Sequence, residues 1–192
     1  MDAWIDTARA ELADLLAGLT PAQWEQPSLC AGWRVREVAA HVALTAESPL
    51  TQVAAMVRSG FRFDRMVDAT ARAHAAVPTS QLADEVRGLV GVRRRPPGTV
   101  PADPLNDVLV HTQDIARPLG LDIAIPAEPA TVAADLVWRR AFPFRARDRV
   151  RGRELVATDV EWRRGAGEPV EAPIGDLLLI LTGRIPVPAR QN

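Results

Sequence analysis

The sequence predicts a mainly α-helical protein, with a helical body over residues 1–145 and a small α+β tail over residues 146–192. Three observations carry this expectation. Apolar residues recur at helical spacing through most of the body. Loops rich in Pro and Gly separate those stretches. After Phe142 the pattern shifts towards alternation, the signature of a half-buried strand.

The elements follow in order. Residues 2–18 fit a first helix, because Trp4, Ile5, Ala8, Leu12, Leu15 and Leu16 share one face. Gly18 and Pro21 punctuate its end. Thr20 can cap a short turn with Pro21 at the first helical position. The stretch PSLCAGW (27–33) reads as a loop. A long second helix is expected from about Arg34 to Arg58, with Val35, Val38, Ala39, Val42 and Leu44 apolar, His41 among them, and Pro49 as a kink or break. Residues 62–75 keep helical phase through Phe63, Met66, Val67 and Thr70. Ser80 can cap a helix over Gln81–Val92 that buries Leu82, Val86, Leu89 and Val90. PPGTVPADP (96–104) is a loop. A helix then runs from about Pro104 to just before Pro118, and another from Pro129 to Phe142. In the tail, Arg153–Trp162 reads as a strand with Val156, Thr158, Val160 and Trp162 facing inward. GAGEP (165–169) is a turn, Val170 opens a brief second strand, and Ile174–Thr182 is a short apolar helix ended by Gly183.

Composition narrows the function. With 192 residues, 47% of them hydrophobic, the chain can bury one sizeable core. A net charge of −1 gives no broad electrostatic reason for nucleic acid or an anionic membrane. The one basic run, Arg93–Arg95, precedes Pro96–Pro97–Gly98 and reads as a solvated helix end. The five tryptophans are scattered and read as core or bundle-rim residues rather than base-stacking platforms. A single cysteine, Cys30, excludes an intrachain disulfide and a Cys-rich zinc site, which suits a reducing cytoplasm. The first twenty residues lack the basic and apolar regions of a secretory signal, and Leu177–Leu181 is too short to span a bilayer. A cytoplasmic, membrane-free protein is therefore expected. All 23 basic residues are arginine, which hints at a GC-rich coding genome.

The chemistry concentrates in PLNDVLVHTQDIARPLG (104–120). Asp107, His111 and Asp114 sit at i, i+4 and i+7, so a helix lines them along one stripe. An Asp-x-x-x-His pair on one face can hold a divalent metal through an oxygen and a ring nitrogen. A third ligand must come from elsewhere, and His41 on the apolar side of another helix is the natural candidate. Three N/O ligands leave an open position, the layout of a catalytic site. Zinc fits best on ligand type, and nickel, iron or manganese use the same donors. Blander readings stand beside this one. A lone His on an apolar face is ordinarily a packed residue. Asp107 is also a carboxylate that the helix dipole favours. Asp114 is either the acceptor that fixes the tautomer of a liganding His or an ordinary exposed residue. Glu37, one turn before His41, could replace Asp107 as the acidic ligand. His74 has no partner in register and reads as a non-ligand. Cys30 carries no local charge pattern that would make it reactive.

Four segments carry a family resemblance: PSLCAGWRVREVAAHV (27–42), PLNDVLVHTQDIARPLG (104–120), ATDVEWRRGAG (157–167) and LLLILTGR (177–184). With them the chain resembles the mycothiol-dependent maleylpyruvate isomerase family, within the wider DinB-like metalloenzyme superfamily, and its tail resembles that of actinobacterial members. The resemblance implies a DinB-like four-helix bundle followed by a small α+β domain. It implies a metal site built from a His on the second helix and a Glu-x-x-x-His pair on a later one, here His41, Asp107 and His111. The departure is Asp107 where the family has Glu; the shorter side chain can still ligate zinc.

The resemblance also implies mycothiol as the thiol cofactor, bound through the metal so that the thiolate exists at neutral pH. In the family's isomerase the thiolate adds to a cis double bond, the adduct rotates, and elimination gives the trans product. Other relatives transfer the thiol to an electrophile. The expected partners are thus a small-molecule electrophile and a thiol. A carboxylate-bearing substrate calls for a cationic clamp, for which Arg184 in LTGR is one candidate; an exposed helix-end Arg is an equally good reading of that residue. Two rival functions stand: a metal-dependent hydrolase with Asp114 or Glu37 as general base, and a non-catalytic metal- or small-molecule-binding protein. A bundle of this kind can also pair through one helix face into a homodimer. The substrate is not legible.

Overall fold

The computed structural model describes residues 1–95 and 98–189, apart from the side chain of Pro49. The expected break at Pro96–Pro97 lies outside the described residues. The chain divides into two compact units, Met1–Asp122 and Ile123–Asn192. The division falls before the helix Ala127–Arg139, which the sequence reading grouped with the bundle; that helix packs on the last helix of the chain.

The first unit is helical. Helix α1 (Asp2–Ala17) buries Ile5, Ala8, Leu12, Ala13 and Leu16, the expected stripe. Thr20 and Gln23 form a reciprocal capping box on the single-turn helix α2 (Pro21–Trp24). The long second helix is interrupted. Helix α3 (Val35–Ala43) passes into a 3₁₀ turn (Leu44–Ala46), and a separate helix α4 (Pro49–Arg58) follows. Pro49 does not kink a continuous helix but sits at the first turn of a new one, where its missing N–H costs nothing. Ser48 caps α4 by accepting the Thr51 N–H. Helices α5 (Phe63–His74), α6 (Thr79–Arg87) and α7 (Asp103–Ala116) complete the unit. Ser80 lies inside α6 rather than capping it, and Val90 is exposed beyond its end. Helix α1 packs on α6 and α7, and α3 packs on α5, α6 and α7. Leu12, Leu16, Val35, Val38, Leu82, Val86, Leu105 and Ile115 fill the interior.

The second unit packs helix α8 (Ala127–Arg139) on helix α10 (Ile174–Thr182). A one-turn helix α9 (Ala146–Arg149), absent from the sequence reading, precedes a three-stranded sheet of order β2-β1-β3. Strand β1 (Arg153–Ala157) pairs antiparallel with β2 (Arg163–Gly165) and parallel with β3 (Glu168–Ala172). The expected alternation was one residue out of phase. Leu155 is the buried position, Thr158 is exposed, and the strand ends at Ala157. Trp162 is buried from the loop instead, with its indole N–H on Asp135. Gly167 takes φ 126°, and a Cβ there would strike the Gly152 carbonyl, so the β2–β3 turn requires glycine. Gly183 ends α10 in the left-handed region, as expected. Among the described residues no helix is long and apolar enough to cross a membrane.

Candidate metal centre

Two packed helices of the first unit build the site. Helix α7 presents Asp107 and, one turn on, His111. Helix α3 presents His41 from its last turn. His41 Nε2 lies 3.6 Å and His111 Nε2 3.4 Å from the same Asp107 oxygen, Oδ1. The two imidazoles meet edge-on with centroids 4.9 Å apart. A ligand atom from each of the three lies within 4.8 Å of the others, the spacing of a set that can hold one metal ion. His111 is buried, while His41 and Asp107 are half-buried, so the set opens to one side.

Electrostatics ties the three together. Burial pushes the Asp107 pKa up, but the His111 and His41 rings outweigh it and hold the carboxyl well below the usual range. Burial lowers the His111 pKa, and Asp107, Asp114 and Cys30 reverse this and raise it well above the usual value. A buried guanidinium adds to the field. Arg9 is only 4% exposed, donates from one nitrogen to the Leu89 and Val92 carbonyls at 2.8 and 2.9 Å, and feels the Asp107 charge. Its place in the Ile5–Leu12 stripe of α1 is a signal the sequence reading did not use.

Behind His111 stands Asp114. Its side chain is 0% exposed and its Oδ2 lies 2.8 Å from His111 Nδ1. It is therefore not an ordinary surface residue. Neutral His111 donating from Nδ1 leaves Nε2, on the Asp107 side, as the lone-pair nitrogen. The same Asp114 oxygen accepts the Cys30 thiol at 3.0 Å, and the sulfur is 4.0 Å from Nδ1. No local spacing signals this contact, because 84 residues separate Cys30 from Asp114.

The loop before α3 is held rigidly over α7. Trp33 N–H bonds the Cys30 carbonyl at 2.9 Å across a turn with Gly32 at φ 77°. Leu29 N–H bonds the Asp114 carbonyl at 3.0 Å. The Trp33 indole donates to Asp68 at 2.8 Å, and Arg72 of α5 bonds both Asp68 and the Gly32 carbonyl. The Trp33 ring lies 5.6 Å from that of His41.

Other candidates fall elsewhere. Glu37 is not with the metal donors. Arg34 engages both of its oxygens and its Oε2 accepts the Arg34 N–H at 2.8 Å, so it closes the start of α3. His74 does have a partner, Glu85 of α6, through Nε2. Arg184 lies in the second unit, where it donates to the Thr182 carbonyl.

Residues 5–62 match the family model described as mycothiol maleylpyruvate isomerase N-terminal domain. That span carries His41 and the covering loop and stops short of α7. Among solved structures, the chain is similar to a mycothiol-dependent maleylpyruvate isomerase at a TM-score of 0.63 and 13% identity, over 99% of this chain and 95% of that one. A histidine-to-alanine mutant of a mycothiol-dependent maleylpyruvate isomerase matches at a TM-score of 0.62, with the same identity and coverage. At that identity the likeness establishes the fold. No curated protein sequence matches the chain.

Proposed function

We propose that the chain, whose residues 5–62 match the mycothiol maleylpyruvate isomerase N-terminal domain, is a metal- and mycothiol-dependent isomerase or S-transferase acting on a small electrophile. The observation that carries this reading is the convergence of His41 with Asp107 and His111 from two different helices. One oxygen and two nitrogens are borderline donors, best matched by zinc and usable by nickel, iron or manganese. A divalent ion held there would supply the charge that lowers a thiol's pKa towards neutrality. The chain's own groups do the rest. Asp114 keeps His111 in the tautomer with Nε2 free to ligate. Trp33 and the loop it anchors wall the His41 side. Arg184 is the candidate clamp for a substrate carboxylate.

A hydrolase needs a general base facing the donors. Glu37 is engaged by Arg34, and Asp114 sits on the Nδ1 side of His111. Neither is placed for that role, and the thiol-dependent reading is preferred.

Elemental mass spectrometry on untagged protein tests the reading, with wild type beside His41→Ala and His111→Ala. The expected result is about one metal per chain, lost in both variants. Thermal unfolding then separates the functions. A thiol cofactor should raise the melting temperature only of metal-loaded protein. No metal after reconstitution with zinc or nickel would overturn the site. Metal binding without any response to the thiol would leave a hydrolase or a passive binder.

A further inference from the structure

We propose that Cys30 Sγ, His111 Nδ1 and Asp114 Oδ2 form a second, inner site for one thiophilic divalent cation, whose occupancy excludes metal from the His41–Asp107–His111 triad. The three donors differ in kind and gather within 4.8 Å. Their separations are 3.0 Å (S to O), 2.8 Å (O to N) and 4.0 Å (S to N). With ordinary metal–sulfur and metal–nitrogen bonds, the edges of a tetrahedral site are roughly 3.3–3.6 Å. Shifts of a few tenths of an ångström therefore seat an ion.

This is a built set rather than a stray thiol. Asp114 is fully buried, His111 nearly so, and Cys30 is half-buried. The loop bearing Cys30 is fixed from two sides. Leu29 N–H bonds the Asp114 carbonyl, and the Ser28 hydroxyl accepts the Cys30 N–H at 3.1 Å. A thiolate selects softer ions than the O/N/N triad does.

The two sites share one imidazole, and proton accounting makes them alternatives. An ion entering the inner site replaces the thiol proton, which leaves to solvent. It also takes the Nδ1 lone pair, so the ring proton moves from Nδ1 to Nε2. Asp114 stays ionised and the ring stays neutral. One proton is released per ion bound to a chain whose ring is already neutral, and a second leaves where the ring starts as imidazolium. A neutral imidazole offers a single lone pair, and Nε2–H can no longer ligate beside Asp107. Thiophilic ions are thus expected to displace the metal rather than add to it. The exclusion rests on the proposed outer triad; the inner site does not.

The test uses Cd²⁺ and the full chain. The ultraviolet thiolate-to-cadmium band should saturate at about one equivalent in wild type and in His41→Ala, which lacks an outer donor. It should vanish in Cys30→Ser. Asp114→Asn should need at least about tenfold more Cd²⁺. Circular dichroism checks that each variant folds. No band in wild type, or an unchanged midpoint in Asp114→Asn, overturns the inner site. For exclusion, Co²⁺ is bound first and its visible bands followed. Adding Cd²⁺ should erase them as the sulfur band grows, with total metal staying near one per chain. Two metals per chain would overturn the exclusion. Cobalt bands indifferent to His41→Ala would sink the outer triad and the exclusion with it, while the cadmium band still decides the inner site.

Discussion

Asp114 Oδ2 lies 2.8 Å from His111 Nδ1, fully shielded from water, behind the ring whose other nitrogen approaches Asp107. An ionised carboxylate can only accept here, so it dictates where the ring proton sits. An amide can accept or donate. Asp114→Asn is therefore expected to weaken zinc binding at the outer triad by about 10–100-fold with the fold intact. Competition with a coloured chelator measures this, and an unchanged affinity would reduce Asp114 to packing.

Glu37 supports α3 without touching the donors. It is 2% exposed, and Arg34 holds it. Glu37→Gln is expected to cost about 1–3 kcal/mol in urea unfolding, since charge-assisted bonds to a buried group are lost. Metal content should stay at the wild-type value. A variant that folds but loses its metal would make Glu37 a ligand after all.

Acid should expose one tie of the first unit. The Arg93 guanidinium and the Gly91 N–H lower the Asp6 pKa from 3.8 to about 2. A depressed carboxyl pKa adds stability that is full above its unfolded value and disappears as pH falls through the folded one. Asp6→Asn should thus be less stable than wild type at pH about 6, with the gap narrowing below pH about 4 and closing only as pH falls through about 2. Urea midpoints across that range check the sign. A constant gap would place the Asp6 contribution in something other than its charge.

Trp33 should report on metal. Its ring lies 5.6 Å from that of His41. Co²⁺ is expected to quench part of the tryptophan fluorescence, and Trp33→Phe should remove most of that component. Equal quenching in the variant would put the ion near another tryptophan.

Arg184→Lys should discriminate a clamp from a helix-end residue. Loss of the bidentate fork is expected to raise KM about tenfold for a carboxylate substrate and to change kcat little. Unchanged steady-state constants would leave Arg184 a structural residue that donates to the Thr182 carbonyl.

What could be read in advance was whatever depends on local spacing. The Asp107–His111–Asp114 stripe follows from helical periodicity, and so does the buried face of α1. His41 was legible only as a candidate, from its place on an apolar helix face, and the resemblance then singled it out, since nothing local joins it to Asp107, 66 positions later. The misses have one physical source. Glu85 facing His74, Cys30 reaching Asp114 and Arg9 entering the Asp107 field are pairings between elements that sequence order does not rank. In the tail, Arg153, Leu155 and Val156 offered two strand phases. The buried one carries the stem of Arg153, a choice that packing rather than hydropathy makes. Pro49 was legible as a discontinuity but not as a beginning, because its meaning turns on the Ser48 cap before it.

The Leu29 N–H bond to the Asp114 carbonyl fastens a short loop to the helix that bears two of the donors. Seen as inheritance, this makes length itself a trait under constraint. Surface loops ordinarily absorb insertions freely. One added residue between Pro27 and Trp33 would slide Cys30 away from Asp114 and break the stitch while leaving every donor encoded. A descendant gene could rewrite the exposed side chains Leu50, Val53 and Val57 of α4 with little consequence here, yet be silenced by a single extra codon in a stretch that carries no ligand of the outer triad.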